Sequence, residues 1–318
     1  MSNQRLERWI ARKLRLRHLE LVAKVYDQRS ILKAARHLNL TQPAVTKSLK
    51  DIEGTLGLPL FERTNRGLNA TPYGEIFSRH AKIILAQLRH CAEELDNLSS
   101  GYSGHVYVGT LLSGSARLLP EAMAMLKKDR PRIAITVLEG TYDVLLPALT
   151  AGDIDFVLGR LPEVGRTRYL RYERFYSEPA CLVVRSGHPL TKRKRLALRD
   201  LYDEPWLMPV SETALRRQVE RAFDAAGLPL PLNVIESMST TANRSLIRQT
   251  DYIGVLPMQV ALDDVDHGLI SILPVRLKGT VRPVGVIMRA TGTLPPAAAA
   301  FLGCLRTVGR NIAARHPA

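Results

Sequence analysis

Apolar residues first settle into a helical rhythm between Leu14 and Tyr26, where Leu16, Leu19, Val22, Ala23 and Tyr26 recur at spacings of three and four. Ser30 is placed to cap a second short helix that carries Leu32, Ala35 and Leu38 on one face. After Asn39-Leu40, Thr41 is a good N-cap and Pro43 is tolerated in a first turn, so a third helix is predicted to run to about Leu56. A turn of two to three residues between the second and third helices is helix-turn-helix spacing. Gly57-Leu58-Pro59 ends the third helix. Two short strands, 60–64 and 68–71, then flank the turn Asn65-Arg66-Gly67, which makes a wing.

From Thr71-Pro72 the pattern changes scale. Tyr73, Phe77, His80, Ile84, Leu88, Cys91, Leu95 and Leu98 step by three or four residues along one helix, a stripe about 40 Å long at 1.5 Å per residue. So slender a helix needs a partner helix, and Phe77, Ile84, Leu88, Cys91 and Leu95 are the expected dimerisation seam. The segment 99–104, rich in Ser and Gly, reads as a hinge. Beyond it, β-branched runs at 105–110, 133–138, 154–159, 180–185, 206–209, 233–236, 253–256 and 283–289 alternate with helical stretches near 116–128, 141–151, 212–226, 240–249 and 295–313. That alternation predicts an α/β domain with mainly parallel sheets.

Charge adds a partner to this picture. The 318-residue chain has a formal net charge of +15, and its first 36 residues hold 10 Lys and Arg against 3 Asp and Glu. A polyanion, nucleic acid or an anionic membrane, is the expected partner of that end. No run of about 18 apolar residues and no secretory h-region is found, so the chain is expected in the cytoplasm without a membrane partner. Cys91, Cys181 and Cys304 are odd in number and far apart, which offers neither a disulfide framework nor a CxxC metal site. The third helix sharpens the choice of polyanion. Val45, Leu49 and Ile52 would face the core, while Gln42, Pro43, Thr46, Lys47 and Lys50 face out. Gln and Lys read base edges and an apolar ring meets a thymine methyl, so Thr41, Gln42, Pro43, Thr46, Lys47 and Lys50 are candidate major-groove residues. Arg63, Asn65 and Arg66 in the wing are candidate backbone clamps.

At this point a resemblance becomes specific. Leu16-Arg-His-Leu-Glu20, Ala34-Ala35, Leu38, Leu40-Thr-Gln-Pro-Ala-Val-Thr46, Leu49, Ile52-Glu53, Leu56-Gly57, Pro59-Leu60-Phe61-Glu62-Arg63 and Leu68-Asn69-Ala-Thr-Pro-Tyr-Gly74 resemble the DNA-binding signature of LysR-type transcriptional regulators. Further on, Val184-Arg185-Ser-Gly-His188-Pro189-Leu190, Leu201-Tyr-Asp-Glu-Pro205-Trp206 and Gly254-Val-Leu-Pro257 are similar to the effector-binding domain of the same family. Two departures stand out. Some thirteen Arg-rich residues precede the usual start, and Leu32 stands where the family often has a hydroxyl residue. The wording Ile-Leu-Lys-Ala-Ala and Ala-Val-Thr-Lys resembles the subgroup that regulates sugar and aromatic-acid catabolism more than the family average.

The resemblance implies a winged helix-turn-helix at 14–71, a linker helix at 72–98, the hinge at 99–104, and a two-lobed α/β effector domain at 105–314 similar to periplasmic binding proteins. Lobe one would be 105–178 with 279–314, and lobe two 179–278. Ligand would lie in the cleft between the lobes, against Ser113, Ser115, Thr141, Arg160, Met208, Pro209, Val210, Ser211, Ser239 and Thr240. Free N–H groups at helix starts and a guanidinium there favour an organic acid, with a neutral sugar as the alternative. Implied partners are operator DNA with dyad symmetry, a second copy or four copies of the chain, and RNA polymerase. No cofactor or metal is expected. GxSxG, HExxH, GxxxxGK[ST] and GxGxxG are all absent, and the eight histidines have no metal-ligand spacing. His188 is expected to be structural.

Overall fold

The computed structural model describes residues 13–64, 67–99, 103–162 and 167–315, and the side chains of Thr64, Glu93, Glu94 and 96–99 are not among them. The wing-tip candidates Asn65 and Arg66, the centre of the expected hinge and the Arg-rich extension lie outside the described residues. The chain divides into two compact units, one of residues up to Gly101 with Pro147–Ile154, the other of Tyr102–Leu146 with Asp155 onward.

In the first unit α1 (Leu16–Gln28), α2 (Ile31–His37) and α3 (Gln42–Leu56) form the helix-turn-helix. Each boundary has a local cause. Arg29, in the left-handed region at φ 46°, ends α1, and Ser30 Oγ accepts from Lys33 N to start α2. Thr41 Oγ1 accepts from Ala44 N to start α3, and Gly57 in the left-handed region closes it. Val22, Val25, Ala34, Ala35, Val45, Leu49 and Ile52 share one core, which supplies most of the stabilisation at about 25 cal/mol per Å² buried. The wing pairs β1 (Phe61–Thr64) with β2 (Gly67–Ala70) antiparallel. Glu53 fixes it to α3 by accepting from the N–H groups of Leu60, at 2.7 Å, and Phe61, at 3.0 Å. Next comes α4 (Pro72–Ser99). Gly74 lets its first turn touch the wing, because a Cβ there would sit 1.9 Å from the Leu60 carbonyl oxygen.

The second unit holds two five-stranded sheets. Its elements run β3 (His105–Thr110), α5 (Leu112–Ser115), α6 (Leu118–Asp129), β4 (Ala134–Glu139), α7 (Tyr142–Ala151, counted with the first unit from Pro147 on), β5 (Phe156–Arg160), β6 (Leu170–Glu178) and β7 (Ala180–Arg185). They continue as β8 (Trp206–Met208), α8 (Ala214–Ala225), β9 (Val234–Glu236), α9 (Thr240–Gln249), β10 (Ile253–Pro257), α10 (Met258–Asp266), β11 (Ile270–Ile272), β12 (Arg282–Arg289) and α11 (Pro296–Arg315). Sheet order is β4-β3-β5-β12-β6 in one lobe and β11-β7-β10-β8-β9 in the other. The first lobe buries Phe156, Val286, Phe301 and Leu305, the second Trp206, Val219, Phe223 and Ile253.

The sheets correct the expectation of mainly parallel pairing. β12 runs antiparallel to both β5 and β6, and β7 antiparallel to both β10 and β11. Antiparallel neighbours arise because β6 leaves the first sheet straight into β7 of the second, and β12 returns. The apolar pattern gives no sign of β6 as a strand. Its Arg171, Glu173 and Arg174 break the apolar run that signals a buried strand, and Glu173 faces Arg306 of α11, which donates to it at 2.7 and 2.9 Å.

Candidate DNA interface and effector cavity

In α3 the buried stripe Val45, Leu49, Ile52 and Leu56 turns Thr41, Gln42, Pro43, Lys47 and Lys50 out to solvent. Thr46 is half-buried and its hydroxyl donates to the Gln42 carbonyl at 2.9 Å, so its methyl and lone pairs are what it can offer a partner. Arg63 on β1 is exposed. Leu32 and Leu40 are 47% and 48% exposed. The face is rich in donors and carries no carboxylate between Thr41 and Lys50, the chemistry that phosphates and base edges accept.

Along α4, Tyr73, Ile76, Ile84, Leu88 and Leu95 are between 44% and 65% exposed, and Cys91 is exposed with them. Phe77 is the exception to the expected seam. It packs against the helix-turn-helix core. Its neighbour Ile76 is exposed instead.

Between the two sheets of the second unit lies a cavity of about 1110 Å³. It is lined by the ends of strands and the starts of helices, and apolar residues such as Leu112, Leu161, Met208, Leu215, Ile247 and Val255 cover much of its wall. Ser113, Thr141, Arg160, Met208, Pro209 and Thr240 line it as expected from the sequence. Ser115, Val210, Ser211 and Ser239 do not line it. Ser115 is the last residue of α5 rather than a helix start, and its hydroxyl donates to the Leu112 carbonyl at 2.9 Å. Ser239 is used up as the N-cap of α9, accepting from Ala242 N. Ser211 is exposed and Val210 half-buried, just before the Thr213 cap of α8.

Arg160 is the electrostatic centre. It ends β5 beside Gly159, whose φ of 139° and close approach leave no room for a side chain, as a Cβ would lie 2.6 Å from that of Leu111. The backbone N–H of Arg160 donates to Ser113 Oγ at 2.8 Å, and its carbonyl accepts from the Tyr142 hydroxyl. Its side chain is nine-tenths buried, with Nη1 donating to Gln218 Oε1 at 2.7 Å and Nε 3.7 Å from Glu178 Oε1. Nε and Nη2 have no hydrogen-bond partner among the described residues. Burial pulls the guanidinium below its ordinary pKa, against the attraction of Glu178 and with the repulsion of Arg282. Burial likewise holds the Glu178 carboxyl above its ordinary value, although Arg160 and the Gln259 N–H, 2.9 Å away, favour its charged form. Cys181 is pushed up to about 12 by burial and the neighbouring Glu178, so it remains a thiol.

Sequence reasoning missed Gln218, Arg217, Arg221 and Arg282, all of which line the cavity. Arg217 and Arg221 are one helical turn apart on α8, a spacing visible in the sequence. Gln218 and Arg282 carried no comparable signal.

Residues 16–75 match the family model described as "Bacterial regulatory helix-turn-helix protein, lysR family", and residues 99–310 match "LysR substrate binding domain". The chain belongs to the LysR family of transcriptional regulators. LysR-family relatives span nearly its whole length. The HTH-type transcriptional regulator GbpR of Azospirillum brasilense is 36% identical over 295 residues, 92% of this chain and 86% of the relative. PcaQ of Agrobacterium fabrum is 34% identical over 88% of this chain and 90% of its own. Solved structures agree in fold: a full-length OxyR variant of Pseudomonas aeruginosa, 22% identical, superposes with a TM-score of 0.60 over 92% of this chain and 95% of that one. CbnR, described as a LysR family transcriptional regulator, is 21% identical with a TM-score of 0.57 over 93% and 99%. As a LysR-family member the protein is a DNA-binding transcriptional regulator with a substrate-binding domain. No helix among the described residues is long and apolar enough to cross a membrane.

Proposed function

We propose that this regulator works in the cytoplasm as a homo-oligomer, dimer or tetramer, whose grip on a dyad-symmetric operator is set by an organic acid held between the lobes. The observation that carries this reading is the buried Arg160 guanidinium in the cavity wall, with Nη2 unmatched among the described residues. Arg160, Arg217, Arg221 and Arg282 line the cavity together with Glu139, Asp143 and Glu212, and among these cations Arg160 is the one held in burial beside Glu178. A carboxylate can take two parallel hydrogen bonds from a guanidinium. The apolar wall suits a ring or short alkyl body better than a second charge. A neutral sugar would leave Arg160 Nη2 without a charged partner, and Ser113 and Thr141, two of the hydroxyls that could serve it, are already engaged with Arg160 N and Asp143.

On the DNA side, Gln42, Pro43, Thr46 and Lys47 read the major groove, with Thr41, Lys50, Arg63 and the wing residues Asn65 and Arg66 holding the backbone. The exposed line along α4 joins two copies, so that two recognition helices meet successive major grooves. RNA polymerase is the downstream partner of such a complex. Thermal melting in the presence of aromatic acids, dicarboxylic acids and sugars tests the ligand class. A ligand bound only by the folded state at 100 times its Kd stabilises by about 2.7 kcal/mol. A rise in Tm with monocarboxylates and none with sugars supports the proposal, and the reverse order contradicts it.

A further inference from the structure

The loop between β7 and β8 carries Lys192-Arg193-Lys194-Arg195, four consecutive cations, all exposed. Their side chains take part in no ion pair or hydrogen bond among the described residues. The loop that bears them is pinned at both ends. Before the run, His188 is 3% exposed and accepts from Leu190 N at 3.1 Å, the Thr191 hydroxyl donates to the His188 carbonyl at 2.7 Å, and Leu190 is buried. After it, Leu196 and Leu198 pack on the core of the second lobe. Leu277 packs on that same core, and the residues on either side of it, Arg276 and Lys278, are exposed cations as well. Asp200, the nearest acid along the chain, accepts from the Ala197 N–H at 2.8 Å and caps a short 3-10 turn.

Four adjacent cations repel one another, and holding them on an anchored loop concentrates that repulsion instead of letting a flexible tail disperse it. A polyanion relieves it. We propose that this loop, with Arg276 and Lys278, is a second nucleic-acid contact of the regulator, one that engages duplex phosphates without reading sequence. The inference rests on the family's DNA binding. Covalent linkage to a helix-turn-helix already on DNA raises the local phosphate concentration at this patch, so contacts too weak to act alone become productive. An acidic protein surface is the competing occupant. Duplex DNA is favoured because its phosphates are evenly spaced and always present when the regulator acts.

Each phosphate neutralised contributes about −0.9 to the slope of log affinity against log salt. Full-length wild type and the Lys192→Gln/Arg193→Gln/Lys194→Gln/Arg195→Gln variant would be titrated onto a random-sequence duplex of about 60 base pairs between roughly 50 and 200 mM salt, a range over which that slope is well defined. The expected result is a slope shallower by about 3 to 4 in the variant, at an unchanged Tm, with Lys192→Arg/Lys194→Arg retaining the wild-type slope. Equal slopes for wild type and the Gln variant would overturn the proposal. Wild type failing to bind the duplex even at the lowest salt would instead defeat the DNA-binding reading on which the inference stands.

Discussion

Arg160 of the first lobe donates from Nη1 to Gln218 Oε1 of the second at 2.7 Å, across the cavity that separates their sheets. Gln218 is 4% exposed, so no water replaces it freely. Replacing it with Leu strands a buried donor, which costs roughly 1–3 kcal/mol. A carboxylate in the cavity restores a partner to that donor. Gln218→Leu is therefore expected to lower the Tm of the ligand-free protein and to enlarge the Tm increase given by a binding acid. Equal ligand-induced shifts in the two proteins would mean that Arg160 Nη1 does not meet the ligand.

Glu178 makes stability depend on pH in a definite direction. Its carboxyl is held above the ordinary 4.5, burial being the main cause. Below 4.5 both folded and unfolded chains keep the proton, and this group's contribution is fully present. As pH rises, the unfolded chain releases the proton first, so stability is lost until pH passes the raised folded value. Glu178→Gln is expected to remove that part of the decline in Tm as pH rises from 4.5, whatever its effect on the absolute Tm. Melting curves across this range in wild type and variant check the slope, and parallel profiles contradict the expectation.

The recognition helix was legible because each of its signals is local: the Thr41 cap, Pro43 in the first turn, the Val45-Leu49-Ile52 stripe and Gly57 at the end all lie within one segment. Arg160 was legible as a charged residue closing an apolar strand. Gln218 and Glu178 were not, since what makes them matter is burial beside a residue 58 and 18 positions away, respectively. β6 escaped notice for a related reason. Its charged residues are balanced by α11, an element more than a hundred residues later. Ser239 and Ser115 show the converse: hydroxyls at helix ends look like ligand contacts in a sequence, yet nearby backbone groups claim them.

Gln42 is exposed at the first turn of α3. Gln42→Ala is expected to weaken binding to the specific operator by about 1–3 kcal/mol and to leave random-sequence binding nearly unchanged. Affinity measured on both duplexes at one salt concentration separates base readout from backbone contact. Equal losses on the two would move Gln42 off the bases.

Two apolar residues of α4 are expected to fail in different ways. Leu88 is 47% exposed, and Leu88→Asp sets a charge in the proposed interface between copies, so sedimentation should show monomers. Phe77 belongs to the helix-turn-helix core. Phe77→Ala should lower the Tm, by up to about 3 kcal/mol of stability, while the protein stays associated. A stable dimer after Leu88→Asp would place the interface elsewhere.

In the proposed function, a carboxylate on Arg160 changes how the protein holds DNA. Coupling of this kind is reciprocal: a ligand that alters operator affinity by some factor is itself bound with an affinity altered by DNA to the same degree. The direct measurement is operator affinity with and without a binding monocarboxylate, in wild type and in Arg160→Met/Glu178→Gln, a pair of changes that removes the guanidinium without leaving Glu178 as an unpaired buried charge. Wild type should show an acid-dependent change in affinity or footprint, and the double variant should bind operator as wild type does without acid and show no change when it is added. An undiminished response in the double variant, at the same acid concentration, would contradict the account.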